Sequence, residues 1–292
     1  MTPPAAGVAA LPAAGDDADL ERRFGSLRRL YGDAAYERIR GAHVAVVGVG
    51  GVGSWAAEAL ARSGVAALTL IDLDQVSESN VNRQVQALGA TLGMAKVEAL
   101  RARIADIHPG CAVTAVEEFV EEANWPTLLT RPAQAVIDAC DSVRAKAVLA
   151  AWSRQSGTPL VIVGAAGGKR AAERVDVGDL ADVTHDRMLA ALRQRLRKQH
   201  AAPRAGRLDL CCVFSREPVA MPGDETCEVD GSLNCHGYGS SVAVTATFGM
   251  VAAARALEFA ARSAPRPVHP PAYNHGLGGL LAQLVEQRTF NP

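Results

Sequence analysis

The chain has 292 residues, of which 49% are hydrophobic, and its formal net charge at pH 7 is −1. This length and apolar content predict one sizeable core, in one domain or one domain with a large extension. The near-neutral charge excludes a global field that draws nucleic acid, so any such binding needs a local basic patch. The six cysteines are scattered and the first residues do not form a signal peptide, so we predict a reduced, cytoplasmic protein.

The amino-terminal residues divide into two parts. Residues 1–18 are rich in Ala, Pro, Gly and Asp and contain no Lys or Arg, and we predict that they are disordered. Residues 19–40 carry two basic pairs, Arg22-Arg23 and Arg28-Arg29, among apolar residues. This pattern predicts two short helices docked on the core, and by itself it indicates only a solvated basic face.

A strand, a glycine-rich turn and a helix follow one another from Val44. The β-branched run 44–47 predicts a buried parallel strand, and the Ala-rich stretch 55–62 predicts a helix. Four glycines lie between them: Gly48, Gly50, Gly51 and Gly53. Glycines in this context allow the backbone to approach a phosphate, while the helix amino terminus supplies N–H donors. The sequence therefore predicts a nucleotide site here.

The residues after this turn indicate which nucleotide is bound. A second predicted strand, 67–71, ends in Asp72-Leu-Asp74, where an acid can bind ribose hydroxyls. Asn80, Arg83 and Lys96 come next. A dehydrogenase has no need for these groups, whereas a triphosphate does, because Arg and Lys neutralise phosphate oxygens. We therefore predict that ATP is bound for chemistry on its phosphates.

The central part of the chain alternates between strands and helices. We predict strands at 113–116, 135–139, 159–163 and 175–177, and helices at about 94–108 and 143–157. This alternation predicts an α/β fold with a doubly wound, mostly parallel, Rossmann-like sheet and a C-terminal helical and loop extension. The turn Gly164-Ala-Ala-Gly-Gly168 either shapes a substrate pocket or is a plain bend, and we favour the pocket.

Two acids follow the fourth predicted strand. Asp138 ends it and Asp141 lies just beyond it. Alone, Asp141 is typical of an N-cap for the helix after Ser142. Together with Asn80, Arg83 and Lys96, it is better explained as a ligand that holds Mg²⁺ against the phosphates.

Residues 185–207 form a basic segment without Glu. An apolar stripe at helical spacing indicates a helix, and its cations include Arg193, Arg195, Arg197 and Lys198. Contact with an RNA phosphate backbone and a solvated helix face are about equally well supported by the charge alone. No aromatic residue interrupts the basic residues, so base stacking is not expected there.

The remaining features are less specific. Cys211, Cys212, Cys227 and Cys235 lack the paired Cys-x-x-Cys spacing, so no zinc is expected. Cys227, Cys235 and His236 lie in a predicted loop, where a thiol could carry sulfur or have no role. The apolar run 242–254 is too short for a membrane span and predicts a core or dimer-interface helix. The tail 263–292 has no assignment.

Several motifs together resemble the adenylating superfamily of ubiquitin-activating enzymes. They are Gly48-Val-Gly-Gly-Val-Gly53, Asp72-x-Asp74, Asn80-x-x-Arg83, Gly93-x-x-Lys96 and Asp138-x-x-Asp141. Within it, residues 22–32, 53–62 and 209–215 are most similar to the tRNA threonylcarbamoyladenosine dehydratases. The resemblance covers about residues 21–262, which we take as the adenylating domain, including the basic segment.

The resemblance implies an activity and its partners. It implies ATP-dependent cyclisation of threonylcarbamoyladenosine beside the tRNA anticodon, with basic segment 185–207 contacting the RNA. It also implies a homodimer in which Arg23 or Arg29 reaches the partner's ATP, and a cysteine-desulfurase sulfur relay as a partner. Three other functions stay open: an adenylyltransferase for a ubiquitin-like sulfur carrier, a nucleotide-binding scaffold and, more distantly, a dehydrogenase.

Overall fold

The computed structural model describes residues 19–220 and 238–263, and its centre is a seven-stranded sheet. The strands lie in the order β3-β2-β1-β4-β5-β7-β6, and every pair is parallel except β6 with β7. Their bounds are β1 His43–Val47, β2 Ala67–Ile71, β3 Ala112–Val116, β4 Ala135–Asp138, β5 Leu160–Val163, β6 Val175–Asp179 and β7 Cys211–Ser215. The doubly wound, mostly parallel fold is confirmed. The strand β7 was not predicted.

Eight α-helices are described, and those that follow the core strands cover both faces of the sheet. Their bounds are α1 Leu20–Phe24, α2 Ser26–Tyr31, α3 Asp33–Arg40, α4 Gly53–Arg62, α5 Lys96–Ile107, α6 Val143–Ser156, α7 Arg187–Gln199 and α8 Val242–Arg262. One face is buried by α3, α4, α5 and α8, and the other by α6 and α7. The strands β1, β2, β4 and β5 are buried throughout because helices cover both sides.

The amino-terminal segment forms three helices rather than the two predicted, because Gly25 and Gly32 each end a short helix. Phe24 is buried, and its ring lies 4.7 Å from the ring of His108 at the end of α5. Arg23 donates to the carbonyl oxygens of Asp106 and Ile107, at 3.1 and 2.6 Å. These contacts fix the segment to the last turn of α5, where free carbonyl groups favour a cation.

The helix α8 packs tightly on α4. A Cβ atom at Gly249 would lie 2.6 Å from the Val52 carbonyl oxygen and 2.8 Å from Cβ of Trp55, so only glycine permits this approach. Phe248 and Ala252 on the same face are fully buried in the core. By length and composition alone α8 could cross a membrane. The buried face against α4 confirms that it is a core helix.

Two predictions lie outside the described residues: the disorder of residues 1–18 and the loop that contains Cys227, Cys235 and His236. The unassigned residues 264–292 lie outside them as well.

Candidate functional site

A cleft of about 720 Å³ opens at the carboxyl ends of the parallel strands, where the strand order reverses between β1 and β4. Ligands bind at this point in doubly wound sheets because the two flanking turns leave a crevice. Nine of the residues singled out from the sequence border the cleft. They are Gly48, Gly50, Gly51, Asp72, Asp74, Asn80, Arg83, Lys96 and Asp141.

The glycine turn forms one wall and depends on close backbone contacts. Gly48 has φ +79°, and a Cβ atom there would lie 2.8 Å from the backbone of Cys140. The turn after β1 is thereby pressed against the turn after β4. Gly53 does not border the cleft; it is buried beneath the carbonyl oxygen of Gly48 and beside Val46. Gly53 lets α4 approach the strand. Its position therefore differs from the phosphate-contacting position that was predicted for it.

Asp72, Asp74 and Lys96 form a connected polar group at the end of β2. The Asp72 carboxylate accepts hydrogen bonds from the backbone N–H of Val49, at 2.8 Å, and of Asp74, at 2.9 Å. Lys96 Nζ lies 2.7 Å from Asp74 Oδ2 and 4.0 Å from Asp72 Oδ1. Burial raises the pKa of Asp72, and the Lys96 charge opposes that shift. The group fixes a cation and an acceptor beside the glycine turn.

Asn80 and Arg83 lie on the segment between β2 and α5, and both border the cleft. Asn80 is buried, and its side-chain oxygen accepts from the backbone N–H of Ser77 at 3.1 Å. Arg83 donates to the Ser79 carbonyl oxygen at 2.6 Å, and its aliphatic stem lies against Gly51. The stem of Arg83 therefore lies against the glycine turn, while its guanidinium is held by the loop that contains Ser79 and Asn82.

Asp141 stands on the opposite side of the glycine turn. The N-cap of α6 is Ser142, whose side chain accepts from the backbone N–H of Ala145 at 3.3 Å, so the capping alternative for Asp141 is wrong. Among the described residues, no hydrogen bond or ion pair occupies the exposed Asp141 carboxylate. An accessible carboxylate beside the glycine turn is the kind of ligand that suits Mg²⁺, which takes one or two carboxylates plus phosphate oxygens. The described residues contain no cluster of three or more metal-ligating side chains.

A buried ion pair beneath the cleft was missed by the sequence analysis. Lys146 Nζ donates to Asp138 Oδ1 at 3.1 Å and to the Val163 carbonyl oxygen at 2.8 Å, and both charged side chains have no exposed surface. The Asp138 charge raises the pKa of Lys146, whereas burial opposes that shift. Lys146 joins the ends of β4 and β5. Its spacing from Leu149 and Ala150 on the buried stripe of α6 was the available signal.

The turn after β5 forms the far wall of the cleft. Residues 164–167 border the cleft, as the pocket interpretation requires. Asp186, also missed from the sequence, caps α7 by accepting from Leu189 N–H, and it accepts from Ala165 N–H at 2.8 Å. A Cβ atom at Gly164 would collide with this carboxylate. One buried acid therefore attaches the far wall to the amino terminus of α7.

The basic segment is helical only as far as Gln199. Arg193 donates to the carbonyl oxygens of Leu180, Ala181 and Val183, so its guanidinium closes a loop of its own chain. This arrangement differs from the predicted RNA contact. Arg197 donates to the Pro203 carbonyl oxygen at 3.1 Å, and Arg195 is half-buried. Lys198 and Arg204 are exposed and have no partner among the described residues.

Two other sets of predicted residues lie away from the cleft. Arg23 is held by the end of α5, so within its own chain it does not border the cleft. Cys211 and Cys212 lie on β7, and burial raises the pKa of both thiols. Burial likewise raises the pKa of the Cys140 thiol beside the cleft. These three thiols are therefore weak nucleophiles.

Comparison with known proteins gives a consistent result. A family model described as the ThiF family matches residues 24–274. The tRNA threonylcarbamoyladenosine dehydratase of Escherichia coli is 44% identical over 248 residues, which are 81% of this chain and 92% of the relative. A crystal structure of the E. coli tRNA N6-threonylcarbamoyladenosine dehydratase in complex with ATP has a TM-score of 0.75 and 43% identity, covering 82% of this chain and 94% of that one. The molybdopterin-synthase adenylyltransferase of E. coli is 37% identical over 125 residues, which are 43% of this chain and 50% of that protein.

Proposed function

Because the chain belongs to the ThiF family and matches tRNA threonylcarbamoyladenosine dehydratases over nearly their whole length, we propose that it catalyses ATP-dependent dehydration of threonylcarbamoyladenosine in tRNA. The observation that carries the proposal is the cleft itself. A glycine turn, two cations and an accessible carboxylate meet there, opposite a wall attached to a basic helix. Such a cleft can hold a triphosphate on one side and an acyl group on the other.

The reaction begins with activation of a carboxylate. Its oxygen attacks the α-phosphate of ATP, the bond to the β-phosphate oxygen breaks, and pyrophosphate leaves. The carbamoyl oxygen of the same nucleoside then attacks the acyl carbon, and AMP leaves with one carboxylate oxygen. Loss of a proton gives the oxazolone ring, so the nucleoside becomes lighter by one water. This ring closure requires no enzyme nucleophile, which agrees with the buried thiols of Cys140, Cys211 and Cys212.

The described residues supply binding and charge neutralisation. Backbone N–H groups of the glycine turn face the phosphates, and Asp72 accepts from the ribose hydroxyls. Arg83 and Lys96 neutralise the charge that builds on the phosphates, the dominant contribution in phosphoryl transfer. Asp141 would hold Mg²⁺, which when bound supplies further positive charge to the phosphate oxygens.

The basic segment supplies the RNA contact in this proposal. The exposed cations Lys198 and Arg204 are better placed for it than Arg193 because no partner in the described chain occupies them. Their joint change to Ala is expected to weaken tRNA binding and to reduce the salt slope by about one per lost phosphate contact. A charge-matched control is the joint change of Arg131 and Arg154 to Ala, because both are exposed cations outside the basic segment. Equal effects of the two changes would remove the basic segment from the proposal.

A homodimer in the cytoplasm completes the proposal. Exposed large apolar side chains on the segment between β2 and α5 support a protein interface; they are Leu73, Val81, Leu88, Leu92 and Met94. In such a dimer Arg23 or Arg29 would reach the partner's ATP. A cysteine-desulfurase relay as a partner rests on the family resemblance alone.

The experiment that tests the function is AMP release from ATP with three macromolecules. These are tRNA containing threonylcarbamoyladenosine, tRNA lacking it, and a ubiquitin-like sulfur-carrier protein. We expect AMP only with the modified tRNA, and by mass spectrometry a nucleoside lighter by one water. AMP only with the carrier protein would assign the chain to the adenylyltransferases instead.

The nucleotide assignment has its own test. We expect Lys96→Ala to abolish AMP formation. Its Tm should fall by no more than the loss of one ion pair explains. Arg101→Ala on the exposed side of the same helix is the control and should retain full activity. Normal turnover by Lys96→Ala would show that Lys96 does not act on the phosphates.

A further inference from the structure

Arg144 lies in the first turn of α6, borders the cleft and is not used by the mechanism above. Among the described residues, it makes no hydrogen bond and no ion pair. The other two cations that border the cleft differ, because Lys96 is paired with Asp74 and Arg83 donates to Ser79 and Asn82. An exposed guanidinium that borders a cleft and has no partner among the described residues is available for an anion.

The position of Arg144 is unfavourable without a ligand. The first turn of a helix carries a partial positive charge, which repels a cation placed there. The first turn of α6 contains no acidic residue that could offset this repulsion. Asp141, three residues earlier, is close in sequence but forms no ion pair with Arg144. An anionic ligand would remove this repulsion.

The order of the strands indicates which anion Arg144 would bind. The glycine turn follows β1 and the far wall follows β5, and β4 lies between them. Because α6 follows β4, Arg144 stands between the phosphate side of the cleft and the wall at 164–167. The carboxylate that attacks the α-phosphate must lie at this junction.

We propose that Arg144 binds the carboxylate of the modified nucleoside and orients one of its oxygens towards the α-phosphate; this rests on the proposed function. A guanidinium presents two parallel N–H donors that match the two oxygens of a carboxylate. One bidentate contact holds the carboxylate in the plane required for attack. It also makes the enzyme selective for nucleosides that carry an acid, because an uncharged analogue leaves the guanidinium unpaired.

The test compares binding of two tRNAs, one with threonylcarbamoyladenosine and one without it, by wild type, Arg144→Ala, Arg144→Lys and Arg154→Ala. Arg154 is the matched control because it is an exposed Arg in the last turn of the same helix. We expect wild type and Arg154→Ala to bind the modified tRNA more tightly, and Arg144→Ala to bind both equally. A charged hydrogen-bonded pair of this kind predicts a loss of about 10- to 100-fold in kcat/KM for the modified tRNA, with partial recovery in Arg144→Lys. The KM for ATP should not change.

Three results would overturn the inference. Equal weakening of both tRNAs by Arg144→Ala would mean that Arg144 contacts an RNA phosphate. A raised KM for ATP with unchanged tRNA discrimination would mean that it contacts the nucleotide. Failure of the proposed function would appear in the wild type itself, as absence of AMP with the modified tRNA, and would remove the inference with it. Thermal melting of Arg144→Ala within about 1 °C of wild type verifies the fold, since exposed changes cost little.

Discussion

The buried pair of Lys146 and Asp138 makes a quantitative prediction about the floor of the cleft. Lys146→Met keeps the length of the side chain but removes its charge and its hydrogen bonds to Asp138 and Val163. Asp138 Oδ2 already has no partner within the described chain, and Oδ1 would keep only its hydrogen bonds from Cys140, so the substitution leaves a fully buried carboxylate without a countercharge. This is the arrangement in which loss of one charge costs more than the pair contributes.

The expected cost is large relative to the stability of a domain. Breaking a buried pair by removing one partner costs about 3–5 kcal/mol, and the whole free energy of unfolding is about 5–15 kcal/mol. For a chain of this size that cost corresponds to a fall in Tm of roughly 6–20 °C.

The assay is urea unfolding of four proteins: wild type, Lys146→Met, Asp138→Asn and the double variant. The double variant leaves no buried charge, so it should recover most of the lost free energy and give a coupling of at least about 2 kcal/mol. A Lys146→Met protein that loses less than about 1 kcal/mol, or a double variant that is no better than Lys146→Met, would refute the reasoning. Either result would mean that water or a rearranged side chain reaches Asp138.

Three further predictions concern packing, capping and pH. Gly249→Ala should lower the free energy of unfolding by about 1–3 kcal/mol because α4 and α8 must separate, whereas Gly89→Ala, with open space around it, should be neutral by the same urea measurement. Asp186→Ala loses a cap and a loop contact and should cost about 2 kcal/mol or more, against about 1 kcal/mol for Ser241→Ala, which removes a cap alone. Burial lowers the pKa of His43 to about 4, so stability is complete above the unfolded pKa of about 6.5 and falls as the pH drops from there to 4. His43→Gln should flatten the dependence of Tm on pH across this window.

The sequence predicted the half of the site that follows local rules. A glycine turn between a buried strand and a helix can be recognised because each part has its own pattern, and parallel strands bring their carboxyl ends to one edge. Gly48, Asp72 and Asp141 meet for that reason. Arg83 and Lys96 were singled out by their chemistry. Cations at these positions are needed for a triphosphate and have no role in binding a dinucleotide.

The parts that were missed depend on partners far away in sequence. The strand β7 joins the sheet between β5 and β6, and its short run with two cysteines resembles a ligand motif as much as a strand. In the sequence Asp186 is typical of an ordinary helix cap. Its second hydrogen bond, from the Ala165 N–H, comes from the turn after β5, and the sequence does not show that these residues meet. A basic stripe likewise does not reveal that Arg193 is used by its own loop. Tertiary contacts decided each of these cases.

The close contact of α8 with α4 has a consequence for synthesis of the protein on the ribosome. The helix α4, which follows the glycine turn, is covered by α8, whose residues are translated long after it. Thr245 on α8 also donates to the carbonyl oxygen of Arg83, across a separation of 162 residues. A nascent chain that has not yet released α8 exposes the apolar face of α4 and lacks the support behind the turn. The wall of the cleft that the glycine turn forms is thus one of the last parts to be completed, because it lacks this support until α8 has docked.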